Sequence, residues 1–289
     1  MTRPDGRAVE VLADKARRHT RYFLEWSRSA SPVILAADVD MTEIQRHRGE
    51  AAARGRRYSV VSYLLRAGAR AMAAHPEANA AAVGTVVPKV ARYREVNAKL
   101  ALDRRMDGRR VVLTTVLPDI DTLDLDAVQE RVDRCRDADP DQVPGADGVK
   151  LLQRLPAPLG RLLFRTAVSR PVRRSALLGT FAVSSLGHSR ADTFHSYGGT
   201  AVTLSTGRIA DRPVVRDGAV TAAPVMRVGL TFDHRVIDGA TAAELLDDLV
   251  ALLEACHVDL PRSTLPNGRG ADRVPPAHSG SRGPLAAGA

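Results

Sequence analysis

Residues 226–239 read Met-Arg-Val-Gly-Leu-Thr-Phe-Asp-His-Arg-Val-Ile-Asp-Gly, a strand pattern that gives way to a turn. Met226, Val228, Leu230 and Phe232 are apolar at every second position, the period of a half-buried strand. Asp233 to Ala240 must then turn, and Gly239 relieves that turn sterically. From Thr241 to Cys256 the period becomes helical, with Leu245, Leu246, Leu249, Leu252 and Leu253 on one stripe. Thr241 and Glu244 stand at capping-box spacing, which predicts helix entry at Thr241. His234 therefore sits at a strand end, its backbone held and its ring facing whatever space the loop borders. An imidazole suits the removal of a proton from a hydroxyl or thiol. A lone histidine is more often a structural group, so its surroundings must decide. Asp238 lies four residues on, near enough along a folded turn to return toward the strand end.

Outward from this point the chain mixes strands and helices. Thr180–Ser185 and Thr200–Thr206 are strand-like, and Asp217-Gly218 between β-capable runs suggests a hairpin turn. Upstream, Pro32–Asp40 and Arg109–Leu117 read as strands. Residues 7–26, Met41–Ala53, Ser59–His75 and Leu123 to about Arg136 read as helices. Strict strand–helix alternation is absent, so one α/β domain over 31–260 is expected. A helical arm (1–30) precedes it and a Pro/Gly/Ser/Arg-rich tail (261–289), read as disordered, follows.

The chain has 289 residues, 44% of them hydrophobic, enough for a real core, and a net charge of +9. Between Lys150 and Leu178 stand Lys150, Arg154, Arg161, Arg165, Arg170, Arg173 and Arg174 with no acid. Aromatic residues make up only 4%, leaving few platforms for stacked bases, so a solvated basic face is favoured over nucleic-acid binding. No apolar run is long enough to span a membrane, and the charged N-terminus lacks a signal-peptide core. Cys135 and Cys256 form no metal-spaced motif, and no metal is expected. A cytoplasmic protein with reduced thiols is the plain expectation. No Walker loop, dinucleotide fingerprint or nucleophile elbow is present.

The D-H-R-x-x-D-G pattern after an alternating strand resembles the catalytic domain of the 2-oxoacid dehydrogenase acyltransferases. These are the E2 components, relatives of chloramphenicol acetyltransferase. Seven of the eight positions in 232–239 fit. Gly179-Thr180-Phe181-Ala182-Val183-Ser184-Ser185-Leu186-Gly187 looks like the strand that precedes the histidine motif by some fifty residues in that family. Val39-Asp40 and Ala74-His75-Pro76-Glu77-Ala78-Asn79 are weaker echoes, and the ordered matches cover about residues 31–255. The resemblance implies a chloramphenicol acetyltransferase-like α/β domain with a mixed sheet flanked by helices. It implies His234 as general base and Ser184 as the hydroxyl that binds the oxyanion. Asp238 would orient the loop and the histidine, with Asp233 and Arg235 fixing the same turn. It further implies direct transfer of an acyl group without an acyl-serine, and a homotrimer in which Ser184 and His234 can meet across an interface.

The sequence also departs from the family. No lipoyl domain has room ahead of residue 31, so no lipoyl group of its own is expected. Asp14-Lys15-Ala16 mimics a lipoylation site but falls in a helical-looking segment. Tyr197-Gly198-Gly199 replaces an Asn-Pro-Pro-like stretch, and 150–178 reads as a basic insertion or altered helix. His188 could border the pocket, with a structural role favoured, while His195 and Tyr197 lie in a loop where they could touch substrate, and neither is relied on. A free-standing E2-like domain resembles tailoring acyltransferases of bacterial natural-product pathways, one group of which acetylates a tetronate primary hydroxyl. The expected function is transfer of an acetyl or other short acyl group from CoA, with acetyl-CoA as co-substrate, or from a carrier thioester. The acceptor is a hydroxyl of a small molecule, free or held on a carrier protein. Transfer to a dihydrolipoyl group on a separate protein and a non-catalytic scaffold are the alternatives.

Overall fold

The computed structural model describes residues 17–84, 87–106, 109–139, 142 and 145–256; Lys15 and the tail expected after 260 lie outside them. The chain runs α1 (Arg18–Ser27), β1 (Pro32–Asp40), α2 (Thr42–Ala53), α3 (Val60–Ala74), β2 (Ala80–Val83), β3 (Lys89–Arg92), β4 (Ala98–Met106) and β5 (Arg109–Leu117). There follow α4 (Leu125–Asp137), α5 (Ala146–Arg154), α6 (Ala157–Ser169), α7 (Pro171–Leu178), β6 (Phe181–Ser185), β7 (Val202–Arg216), β8 (Ala219–Asp233) and α8 (Gly239–Glu254). Six strands form one sheet in the order β1-β8-β7-β6-β4-β5, and β2 and β3 pair separately. β6 runs parallel to both β4 and β7, while the other pairs are antiparallel, so the sheet is mixed as expected.

The alternation in β8 builds the core. Met226, Val228, Leu230 and Phe232 are fully buried beside Val202 and Leu204 of β7 and Phe181 and Val183 of β6. α3 and α8 supply the opposing apolar layer through Leu64, Leu65, Met72, Leu245, Leu249 and Leu253. Ser59 caps α3, its hydroxyl accepting from the Ser62 N–H at 3.2 Å, and Pro76 lies just past its end. β7 and β8 join at Asp217 (φ 51°) and Gly218 (φ 78°), the consecutive left-handed residues of a two-residue hairpin turn.

Three expectations need correction. The strand at 200–206 is much longer, because β7 continues to Arg216 by pairing with β8. α8 begins at Gly239, so Thr241 lies inside its first turn; Asp238 occupies the N-cap position and makes no side-chain capping bond. The basic segment is three short helices rather than one arm. Arg18 donates to the Gln153 and Leu155 carbonyls, Arg161 pairs with Glu25, and Gly160 lets Tyr22 lie against α6.

Candidate active site

Each end of β8 is tied down by register, and its C-terminal end carries the histidine. Asp233 N–H donates to the Ala201 carbonyl and His234 N–H to the Ser31 carbonyl, both at 2.9 Å. The His234 ring leaves the sheet, nearly half exposed, with its centroid 5.5 Å from that of Phe232. Its Nδ1 is 3.9 Å from Asp238 Oδ1, beyond hydrogen-bonding distance, and Asp238 is open to solvent.

Asp233 holds this turn. Its carboxylate is 1% exposed and accepts from Arg235 Nη2 at 2.6 Å and Nε at 2.9 Å. The same carboxylate accepts from the Arg235 N–H at 3.2 Å, the Ser31 N–H at 3.4 Å and the Tyr197 hydroxyl at 3.2 Å. Burial pushes the Asp233 carboxyl up, but its bonds to Arg235 outweigh that and hold it below the usual carboxylate range. Asp233 and Arg235 therefore fix the turn, as the sequence suggests.

Ser184 lies half-buried near the end of β6, level with Ser205 on β7 and through it with Gly229 on β8. His234 is five residues beyond Gly229, about 16 Å at ~3.3 Å per residue, and two strands across, about 10 Å. One chain therefore keeps the two groups apart. Beside Ser184, the Ser205 hydroxyl lies 3.3 Å from that of Ser196, and the His195 ring rests on Gly229. A Cβ on Gly229 would stand 2.8 Å from His195 Nδ1, so this glycine seats the imidazole against the sheet. His188 is exposed just after the serine strand.

Tyr197 is the residue whose place the sequence gives least sign of. Its phenol turns inward to Asp233, and burial followed by the neighbouring Asp233 charge pushes it up to about 12. Behind it, Lys99 Nζ donates to the Gly198 carbonyl, and Arg174 Nη2 to the Gly199 carbonyl at 3.1 Å. Lys99 and Arg174 also lie over the rings of Phe23 and Trp26, at 4.8 and 4.7 Å from the ring centroids. Among the described residues, no three His, Cys, Asp or Glu side chains cluster to hold a metal, and no helix is long and apolar enough to cross a membrane.

The profile of the 2-oxoacid dehydrogenases acyltransferase catalytic domain matches residues 8–141 and 174–259. The chain belongs to this family. The unmatched stretch contains α5 and α6. The dihydrolipoyllysine-residue acetyltransferase component of the Bacillus subtilis pyruvate dehydrogenase complex is 54% identical over 50 residues. That match covers 17% of this chain and 11% of the relative, so the likeness spans about a ninth of that protein. The Staphylococcus aureus (strain Mu50) counterpart is 50% identical over 50 residues, 17% of this chain and 12% of that one.

Among solved structures, the dihydrolipoamide acetyltransferase of Azotobacter vinelandii superposes with TM-score 0.66 at 21% identity, covering 88% of this chain and 94% of that one. A probable dihydrolipoamide acetyltransferase from Listeria monocytogenes gives 0.64 at 16%, covering 89% and 98%. The fold is that of the acyltransferase catalytic cores, and this E2-like member carries the acyltransferase domain.

Proposed function

We propose that the protein moves an acetyl or other short acyl group from a CoA or carrier thioester to a hydroxyl of a small molecule, such as the primary alcohol of a tetronate. The observation that carries this reading is a strand-end histidine with a locked backbone and a free ring, in a chain of this family. His234 takes the proton of the acceptor hydroxyl as its oxygen attacks the thioester carbonyl. The Ser184 hydroxyl donates to the oxyanion of the tetrahedral intermediate. Collapse breaks the carbon–sulfur bond, and the departing thiolate takes the proton back from the imidazolium. Asp238, at the mouth of α8, bounds the space beside the ring.

Because one chain separates Ser184 from His234, the working site joins His234 of one subunit to Ser184 of the next, in a homotrimer. The serine, histidine and asparagine that the Azotobacter structure was made to investigate stand in the same chain order as Ser184, His234 and Asp238. Purified protein is incubated with acetyl-CoA and either a hydroxymethyl tetronate or free dihydrolipoamide, and ester or thioester formation is followed by mass spectrometry. Ester with the alcohol supports the reading. Thioester alone points to E2-type transfer to a separate dihydrolipoyl protein, and neither product points to a scaffold.

A further inference from the structure

Lys99 and Arg174 are both buried, 6% and 5% exposed, and their partners in the structure are backbone carbonyls and aromatic faces. Neither has a carboxylate partner among the described residues. Two cations in such a place call for compensation, since burial disfavours their charge. The compensation here comes from the carbonyl dipoles of Gly198 and Gly199, with one more from Ala82.

Those two glycines fit with no slack. A Cβ on Gly198 would stand 2.4 Å from that of Ala182, and one on Gly199, at φ 83°, 2.6 Å from Phe23. Gly198 N–H also donates to Thr203 Oγ1 at 2.9 Å. The backbone immediately behind Tyr197 is therefore pinned from both sides. In front, the Tyr197 hydroxyl donates to Asp233, the carboxylate that also holds Ser31 and Arg235 around His234.

We propose that Tyr197 is a positioning residue for His234: anchored through Gly198 and Gly199 by Lys99 and Arg174, its hydroxyl holds Asp233 and so sets the turn on which the histidine stands. This rests on the reading of His234 as the base. The hydroxyl supplies one of the donors that neutralise a nearly inaccessible carboxylate one residue from the histidine. Its loss leaves Asp233 to Arg235 and two backbone N–H groups, and frees the turn to shift. The anchor links α7 and α1 to the catalytic turn through one short loop.

The test compares the wild-type protein with Tyr197→Phe, which keeps the ring and its packing and removes only the hydroxyl. The His234 Cε1–Hε1 correlation in the NMR spectrum, identified with His234→Gln, is expected to move or broaden while those of His47 and His75 stay. The rate of acetyl transfer from acetyl-CoA is expected to fall about tenfold with KM for acetyl-CoA within twofold. Lys99→Met is expected to disturb the same His234 signal from the far end of the anchor, and Lys99→Arg to restore it.

An unmoved His234 signal in Tyr197→Phe, or a lowered melting temperature with unchanged rate, overturns the proposal and leaves the phenol a purely structural group. If His234→Ala instead keeps full activity, the base assignment falls and takes the positioning role with it. If His234→Ala is inactive and Tyr197→Phe matches wild type, the positioning role alone falls.

Discussion

Asp233→Ala removes one carboxylate and strands several donors at once. The Ser31 N–H, the Arg235 N–H and guanidinium, and the Tyr197 hydroxyl all lose their acceptor. Breaking a buried ion pair by removing one partner costs about 3–5 kcal/mol. The Arg235 side chain is 33% exposed and can be rehydrated, which places the loss near the lower end, about 3 kcal/mol. At roughly 2–4 °C per kcal/mol for a domain of this size, the melting temperature falls by about 6–12 °C. The effect depends on pH in a definite direction. Burial raises the Asp233 carboxyl, and the hydrogen bonds and charge of Arg235 together with the Ser31 N–H bring it below its ordinary value. Its contribution is therefore full above the unfolded value of about 3.9 and is lost as pH falls through the lower folded value. Urea unfolding of both proteins at pH 7, 5 and 3 measures the gap. A difference below about 1 kcal/mol at pH 7, or one that fails to narrow at pH 3, refutes the reasoning.

Other outcomes follow from the same geometry. Ser184→Ala is expected to lower the rate of transfer by about 10²–10³, and His234→Ala by about 10²–10⁴, with folding intact by circular dichroism. Co-expression of the two inactive chains should restore a measurable fraction of activity, because a mixed interface pairs one good histidine with one good serine; no recovery would place the site within one subunit. Lys99 is drawn down to about 8, by burial first and then by Arg174, so its charge opposes folding fully below that pH. Wild-type stability relative to Lys99→Met should rise by about 3 kcal/mol between pH 8 and 10.5, at roughly 1.36 kcal/mol per pH unit, and a flat difference in urea midpoint counts against a buried lysine. Gly198→Ala should destabilise by about 1–3 kcal/mol through its clash with Ala182, and Ala182→Gly in the same chain should recover part of it in thermal melts.

Much of the fold is legible where one period holds over a whole element. The alternation of Met226–Phe232 and the leucine stripe of α8 are of this kind, and both sit in the core. β4 escaped because its pattern is broken by Lys99 and by Asp103-Arg104-Arg105; Lys99 turns to the loop across the sheet, a contact no local period records. The distal half of β7 carries Gly207, Pro213 and three arginines, which read as loop, yet pairing with β8 across the Asp217-Gly218 turn keeps it extended. α8 starts two residues early because nothing in Gly239-Ala240 marks a boundary once Asp238 has left the strand path. In the candidate site, the motif around His234 pointed to Asp233 and Arg235, which lie within two residues. Tyr197 reaches Asp233 across 36 residues, a contact that no local pattern around either residue records.

The five-residue stagger between Ser184 and His234 bears on how the protein behaves on dilution. On the proposed reading, in which each subunit brings half of the chemistry, a dissociated chain would keep its core and its helices and yet do nothing. Specific activity then climbs with protein concentration until assembly saturates, and a partner able to pry the subunits apart would silence the enzyme without unfolding any of it.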